Sequence, residues 1–91
     1  MTLSLKTAYD VQSELKVVLR NRRRKNGMTV EALSERSGVP YGTIRKFERN
    51  GNISLRQFLM LVEALGDLDL LRSLTQPETT PSSIEEVLKN A

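Results

Sequence analysis

The residues of this chain best suited to chemistry lie between Thr29 and Asn50, in the run TVEALSERSGVPYGTIRKFERN. Tyr41, Gly42, Thr43, Arg45, Lys46 and Arg49 share the outer side of one short helical pattern, and Ile44 and Phe47 share its inner side. That outer row can donate hydrogen bonds and neutralise negative charge. Just before it, Leu33 marks the inner side of another short helix, and the small Ser34 stands where a second helix must come close. Gly38 and Val39 separate the two patterns. A short helix with a polar and basic outer face fits the major groove of duplex DNA, where every base pair shows a distinct edge.

The elements that must position this row can be read from caps and apolar periodicity. Asp10 can cap a first helix, with Val11, Leu15, Val18 and Leu19 at helical spacing. It runs out through Arg22-Arg23-Arg24-Lys25 and stops at Asn26-Gly27. Cations in a last turn suit the helix dipole, which accounts for part of this basic run without any ligand. Thr29 caps a second helix that ends at Ser37, and Gly38 supplies a turn position where a Cβ would clash. Pro40 opens a third helix, roughly Tyr41 to Arg49, since its missing N–H has no partner there in any case. Together the second and third helices read as a helix-turn-helix. Asn50-Gly51-Asn52 is a turn, and Ser54 caps a fourth helix whose Leu55, Phe58, Leu59 and Val62 follow the i, i+3, i+4, i+7 rule up to Gly66. Leu68, Leu70, Leu71 and Leu74 suggest a short fifth helix.

The expected organisation is all-α: an N-terminal arm over 1–9, a helical domain over 10–75 and an acidic flexible tail over 76–91. The arm carries alternating Leu3 and Leu5, compatible with disorder or with a short strand added to a partner. The tail begins QPETTPSS, a spacer with two prolines, after which Ser83 can cap a short amphipathic turn with Ile84, Val87 and Leu88 on one side. Such a helix is too short to be stable alone.

Composition narrows the function classes. Ninety-one residues make one small domain. With no cysteine there is no disulfide or thiolate metal site, and with no histidine the commonest general base and metal ligand is missing. No glycine-rich phosphate loop and no convergent acid–base pair can be found, so an enzyme is the poorest reading, and neither a cofactor nor a metal is expected. No apolar run approaches the ~20 residues of a membrane span, and MTLSLKTAYD lacks the pattern of a secretion signal, which makes the cytoplasm the expected location. The net charge of +3 is unevenly placed. Lys16 to Arg56 holds eleven basic residues against three acidic, a balance of +8; Gln57 to Ala91 holds two against six, a balance of −4. This suggests a polyanion-binding face and a separate partner-binding end, although charge runs are also ordinary solvated helix faces.

The chain resembles the Cro/C1-type (Xre) helix-turn-helix regulators of bacteria and phages from about Leu15 to Leu74. The resemblance rests on Gly38-Val39 at the turn, Ile44, Phe47-Glu48-Arg49, Ser54-Leu55-Arg56 and Ala64-Leu65-Gly66. The longer string FERNGNISLRQFLMLVEALG is similar to a narrower branch, the HipB-like antitoxins that pair with kinase-like, HipA-like toxins.

The resemblance implies a compact five-helix, lambda-repressor-like DNA-binding domain and places residues in roles. Tyr41, Gly42 and Thr43 would lie closest to the base edges, then Arg45 and Lys46 one turn on. Arg45 is the candidate for a bidentate guanine contact, against the alternatives of a phosphate contact or a plain exposed face. Thr29 and Val30 begin a helix whose free N–H groups can hold a phosphate. Many family members carry a glutamine where Val30 stands, so one side-chain clamp is missing. Arg49, Asn50 and Asn52 would hold the next phosphates, or the asparagines serve the turn alone. Arg23 and Glu48 would form an ion pair tying the third helix to the first, rather than stand as two independent charges. Ser34 replaces the usual alanine, its hydroxyl free to bond back to helix carbonyls. The surplus leucines close the core or join two copies, with Leu68, Leu71 and Leu74 at a homodimer seam. The function implied is a dimeric repressor reading an inverted repeat in double-stranded DNA, with a toxin as a further partner. The competing reading is a protein-binding module that keeps the fold and has lost DNA binding, favoured by Val30 and Gly42, which lack polar side chains.

Overall fold

An 18-residue helix, α1 (Ala8–Lys25), forms one side of the molecule in the computed structural model, which describes residues 6–77. It begins earlier than a cap at Asp10 would place it. Thr7 is the N-cap: its Oγ1 accepts from the Asp10 N–H at 3.1 Å, and an Asp10 carboxylate oxygen accepts from the Thr7 N–H at 3.0 Å. This reciprocal capping box satisfies two otherwise unpaired donors. Asp10 thus sits in the first turn, and these bonds from Thr7 hold its carboxyl below the ordinary carboxylate range. The remaining elements are α2 (Val30–Ser37), α3 (Tyr41–Asn50) and α4 (Leu55–Ala64). A 3₁₀ turn (Leu68–Leu71) then runs into the single-turn α5 (Arg72–Thr75), so the expected fifth helix is continuous but tighter over its first half. No strand occurs among the described residues. The readings of the Leu3 and Leu5 arm and of the Ile84, Val87 and Leu88 turn lie outside them.

The core is built where α2, α3 and α4 meet beneath α1. Leu19, Leu33, Val39, Ile44, Phe47, Leu61, Val62 and Leu65 are buried, and the Phe47 and Phe58 rings meet edge to face with centroids 6.1 Å apart. The fourth helix corrects its expected phase. Phe58 and Val62 do face inward, but with Leu61 and Leu65, whereas Leu55 is 73% exposed and Leu59 is 37% exposed. Both rows satisfy the helical spacing rule, and the one containing Leu61 is the one that joins the buried cluster with Leu33 of α2 and Ile44 and Phe47 of α3. On α1, Leu19 is buried while Val11 and Val18 remain exposed.

The turn between α2 and α3 is held from within. Gly38 takes φ +81° and donates its N–H to the Ser34 carbonyl at 2.9 Å. Val39 is fully buried, and both its backbone groups are satisfied: its N–H donates to Ser37 Oγ at 3.0 Å, and its carbonyl accepts from Ser34 Oγ at 2.7 Å. The Ser34 hydroxyl therefore bonds across the turn, not back to its own helix. This lets a turn carbonyl outside any helix ladder be buried with a partner.

The loop after α3 is fastened to α1 in the same way. Gln12 donates from Nε2 to the Gly51 carbonyl at 2.6 Å and to Asn52 Oδ1 at 3.2 Å, and Lys16 donates to the Arg49 carbonyl at 3.1 Å. Gly51 has φ +79°, and a Cβ there would lie 3.3 Å from Gln12 Cγ and 3.4 Å from the Gln12 carbonyl oxygen. Gly27 has φ +68° with nothing within 4 Å of such a Cβ. Gly27→Ala should therefore lose only the backbone term, about 1–2 kcal/mol. Gly51→Ala should lose measurably more, because the tie to Gln12 must also shift. Urea midpoints of the two variants check this, and equal losses would mean that the tie contributes nothing.

Candidate nucleic-acid interface

The expected reading residues divide into two rows on α3. Tyr41, Arg45 and Arg49 follow one another at four-residue steps, and Gly42 and Lys46 run beside them; all five are exposed. Thr43 is half-buried and turned part-way toward the scaffold, with its N–H given to the Pro40 carbonyl at 3.0 Å. Ile44 and Phe47 are buried behind the rows, so the helix is pinned from one side and open on the other.

Within the outer row, Arg45 is not a free chain. Its Nη1 donates to the Tyr41 hydroxyl at 3.0 Å, and its guanidinium carbon lies 5.7 Å from the Tyr41 ring centroid. Both contacts narrow the rotamers of a long cation. Gly42 has open space around it: a Cβ there would meet nothing within 4 Å. Glycine costs a helix roughly 1 kcal/mol relative to alanine, so the chain's own packing gives no reason for it.

The flanking residues are partly engaged. Thr29 Oγ1 accepts from the Ala32 N–H at 3.0 Å as the α2 cap, which leaves the hydroxyl proton to donate. Val30 is half-buried against the core. Asn50 Oδ1 accepts from the Asn52 N–H at 2.9 Å, an ordinary turn bond, and both asparagines remain exposed.

Arg23 and Glu48 form a two-pronged ion pair. Arg23 Nε lies 2.8 Å from one Glu48 carboxylate oxygen and Nη2 lies 2.9 Å from the other, while Nη1 donates to the Met28 carbonyl at 2.8 Å. Arg23 is buried, and the hydrogen bonds to Glu48 raise its already high pKa against the opposing effect of burial. Another ion pair of α1 joins Arg22 to Asp67 at 3.0 Å, just beyond α4.

A hollow of roughly 370 Å³ opens between α1 and α3, lined by Arg20, Arg23, Arg24, Arg45 and Arg49 with Val30 and Glu48. From sequence, Arg20 counts only toward net charge, and Arg24 counts toward net charge and the basic last turn of α1. The signal that could have found them is their four-residue spacing astride the inward-turned Arg23, which puts both on one exposed edge of α1. Along α4 and the 3₁₀ turn, Leu55, Leu59, Met60 and Leu68 line an apolar groove of roughly 440 Å³ edged by Arg56 and Glu63. Of the leucines expected at a subunit seam, Leu68 is 41% and Leu74 79% exposed, whereas Leu71 is half-buried and packs on the core.

A compact helical domain that presents a pinned, basic helix beyond a left-handed glycine turn, closed by the buried Val39, defines a double-stranded DNA-binding domain of the helix-turn-helix class. The chain belongs to the Cro/C1-type helix-turn-helix family, whose model matches residues 19–71 and so covers all of α2, α3 and α4. No curated protein and no solved structure gives a significant match. Among the described residues, no helix is long and apolar enough to cross a membrane.

Removing one side of the Arg23–Glu48 pair leaves a charge stranded in a part-buried site. Arg23→Ala should cost about 3–5 kcal/mol in chemical unfolding, and the double replacement Arg23→Met with Glu48→Met should cost less than either single change. A double variant as unstable as the sum of the singles would show that the two side chains act independently.

Proposed function

We propose that this DNA-binding regulator is a dimeric, sequence-specific repressor that reads an inverted repeat through α3. The observation that carries the proposal is the outer face of α3, where Tyr41, Gly42, Arg45 and Lys46 stand uncovered while Ile44 and Phe47 pin the helix from behind. In this reading, Arg45, steered by Tyr41, makes the bidentate guanine contact. Gly42 lets the helix approach the groove floor, and Lys46 reaches a neighbouring base. Thr43 contributes from the edge of the same face. Thr29, the backbone at Val30, Arg49, Asn50 and Asn52 hold phosphates on either side.

Two half-sites about 34 Å apart require a two-fold dimer. The apolar groove on α4 supports that part of the proposal, since it gathers Leu55, Leu59 and Leu68 into one exposed patch away from α3. We place the seam there and at Leu74, with Leu71 backing it from the core side. Resemblance over FERNGNISLRQFLMLVEALG supports the finer proposal that the chain is the antitoxin of a kinase-like toxin in a bacterial or phage-infected cytoplasm.

The test of reading is a comparison of duplexes. Binding to a site selected from random duplexes should be sharp and weaken with salt. Arg45→Ala should lower affinity for that site by roughly 10-fold or more while changing random-duplex binding far less, since one bidentate base contact discriminates by about 1–3 kcal/mol. Equal losses on both duplexes would reduce Arg45 to a phosphate contact. Failure of the parent protein to bind any duplex at low salt would favour the protein-binding module instead.

The test of assembly is separate. Sedimentation of Leu59→Glu should give a folded monomer where the parent gives a dimer, and the variant should lose its preference for paired over single half-sites. A Leu59→Glu protein that remains dimeric would remove the α4 groove from the seam.

A further inference from the structure

The hollow between α1 and α3 gathers more positive charge than the fold needs. Of its five arginines, Arg23 alone is neutralised, because both Glu48 carboxylate oxygens accept from it. Arg20 stands 4.0 Å from a Glu48 oxygen that already accepts from Arg23, and its side chain is 48% exposed. Arg24, Arg45 and Arg49 form no ion pair among the described residues. Crowded like charges at one concave site repel one another and destabilise the folded chain until an anion enters. The one apolar residue of the lining is Val30, whose side chain offers no hydrogen bond, so the lining selects for charge.

The geometry points to a phosphate seat in this hollow, in which Arg20 and Arg24 of α1, together with Arg49 of α3, hold one or two backbone phosphates of the duplex that α3 reads. This assignment rests on the DNA-reading proposal above and adds α1 to it. Three features fit a phosphodiester. The guanidinium fork matches two phosphate oxygens at once, and it stays charged at any working pH. Arg20 and Arg24 sit one helical turn apart on an 18-residue helix anchored by its ties to Gly51, Arg49, Glu48 and Asp67, so the two cations are carried by a rigid rod and not by a loop. Finally, Arg45 and Arg49 border both the hollow and the outer face of α3, so a strand leaving the reading face passes the seat directly. The seat positions the duplex and carries no sequence information of its own. The Arg23–Glu48 pair lies at its base, where it sets the distance between α1 and α3 without spending charge on the ligand.

The experiment uses the full chain with Arg20→Gln and Arg24→Gln together, against a control pair, Arg36→Gln with Arg72→Gln, that removes the same charge away from the hollow. Affinity for a random-sequence duplex and for the selected site is measured from 50 to 300 mM salt, and thermal melting confirms that each variant is folded. Losing the seat should lower the salt slope by about 0.9 for each phosphate it holds and weaken binding roughly tenfold per phosphate at 0.1 M salt, equally on both duplexes. The control pair should leave the slope near that of the parent. An unchanged slope in the Arg20→Gln/Arg24→Gln protein, with the parent still binding DNA, would overturn the seat and leave the α3 reading intact. So would a matching loss in the control pair, which would reduce the effect to overall charge, or a loss confined to the selected site, which would mean base contacts. A parent protein that binds neither duplex would overturn the DNA reading itself.

Discussion

The structure depends most on one buried guanidinium. Arg23 spends its donors on both oxygens of Glu48 and on the Met28 carbonyl, and in doing so joins the last turn of α1, the segment leading into α2 and the far half of α3. The third helix, α3, exposes most of its surface, and apolar packing can grip only its inner side. Ile44 and Phe47 supply that grip, but they resist rotation and sliding less well than a directional bond does. The forked pair supplies direction, and its partial burial makes misplacement costly, because an unpaired charge would be left away from water.

The remaining ties of α1 extend the same principle. Gln12 holds the Gly51 carbonyl just after α3, Lys16 holds the Arg49 carbonyl in its last turn, and Arg22 holds Asp67 beyond α4. One long helix thereby touches both ends of the working half of the domain. A domain of this size has a small core, so polar ties at its rim carry a larger share of its geometry than they would in a bigger protein. The two exposed surfaces are opposite in character and lie on different elements. The basic hollow adjoins α3, and the apolar groove belongs to α4 and the 3₁₀ turn.

How far the sequence could be read depended on how local each signal was. The caps at Thr29 and Ser54 and the left-handed glycines at Gly38 and Gly51 act within a few residues, and the elements they bound stand where the sequence put them. The start of α1 was less legible: Thr7 and Asp10 are both good caps, and they take the two halves of one capping box. The phase of α4 was not legible at all, because leucines populate overlapping rows and Leu55 or Leu61 could equally have faced in. The bonds from Ser34 to Val39 and from Gln12 to Gly51 link groups distant in sequence or outside any periodic pattern, and nothing in residue type alone announces them.

Residue order alone therefore determined the succession of helices, the glycine turn and the chemical character of the α3 surface, since each follows from local backbone preference and from side-chain spacing along a single helix. Only tertiary structure decided which arginines of the run Arg22-Arg23-Arg24 are committed and which remain free. Arg23 is turned inward to Glu48, Arg22 reaches Asp67, and Arg24 is left at the hollow beside Arg20. Adjacent residues on a helix point about 100° apart, so three identical side chains acquire three different fates from what each direction meets. That encounter is a property of the packed chain and not of any segment of it.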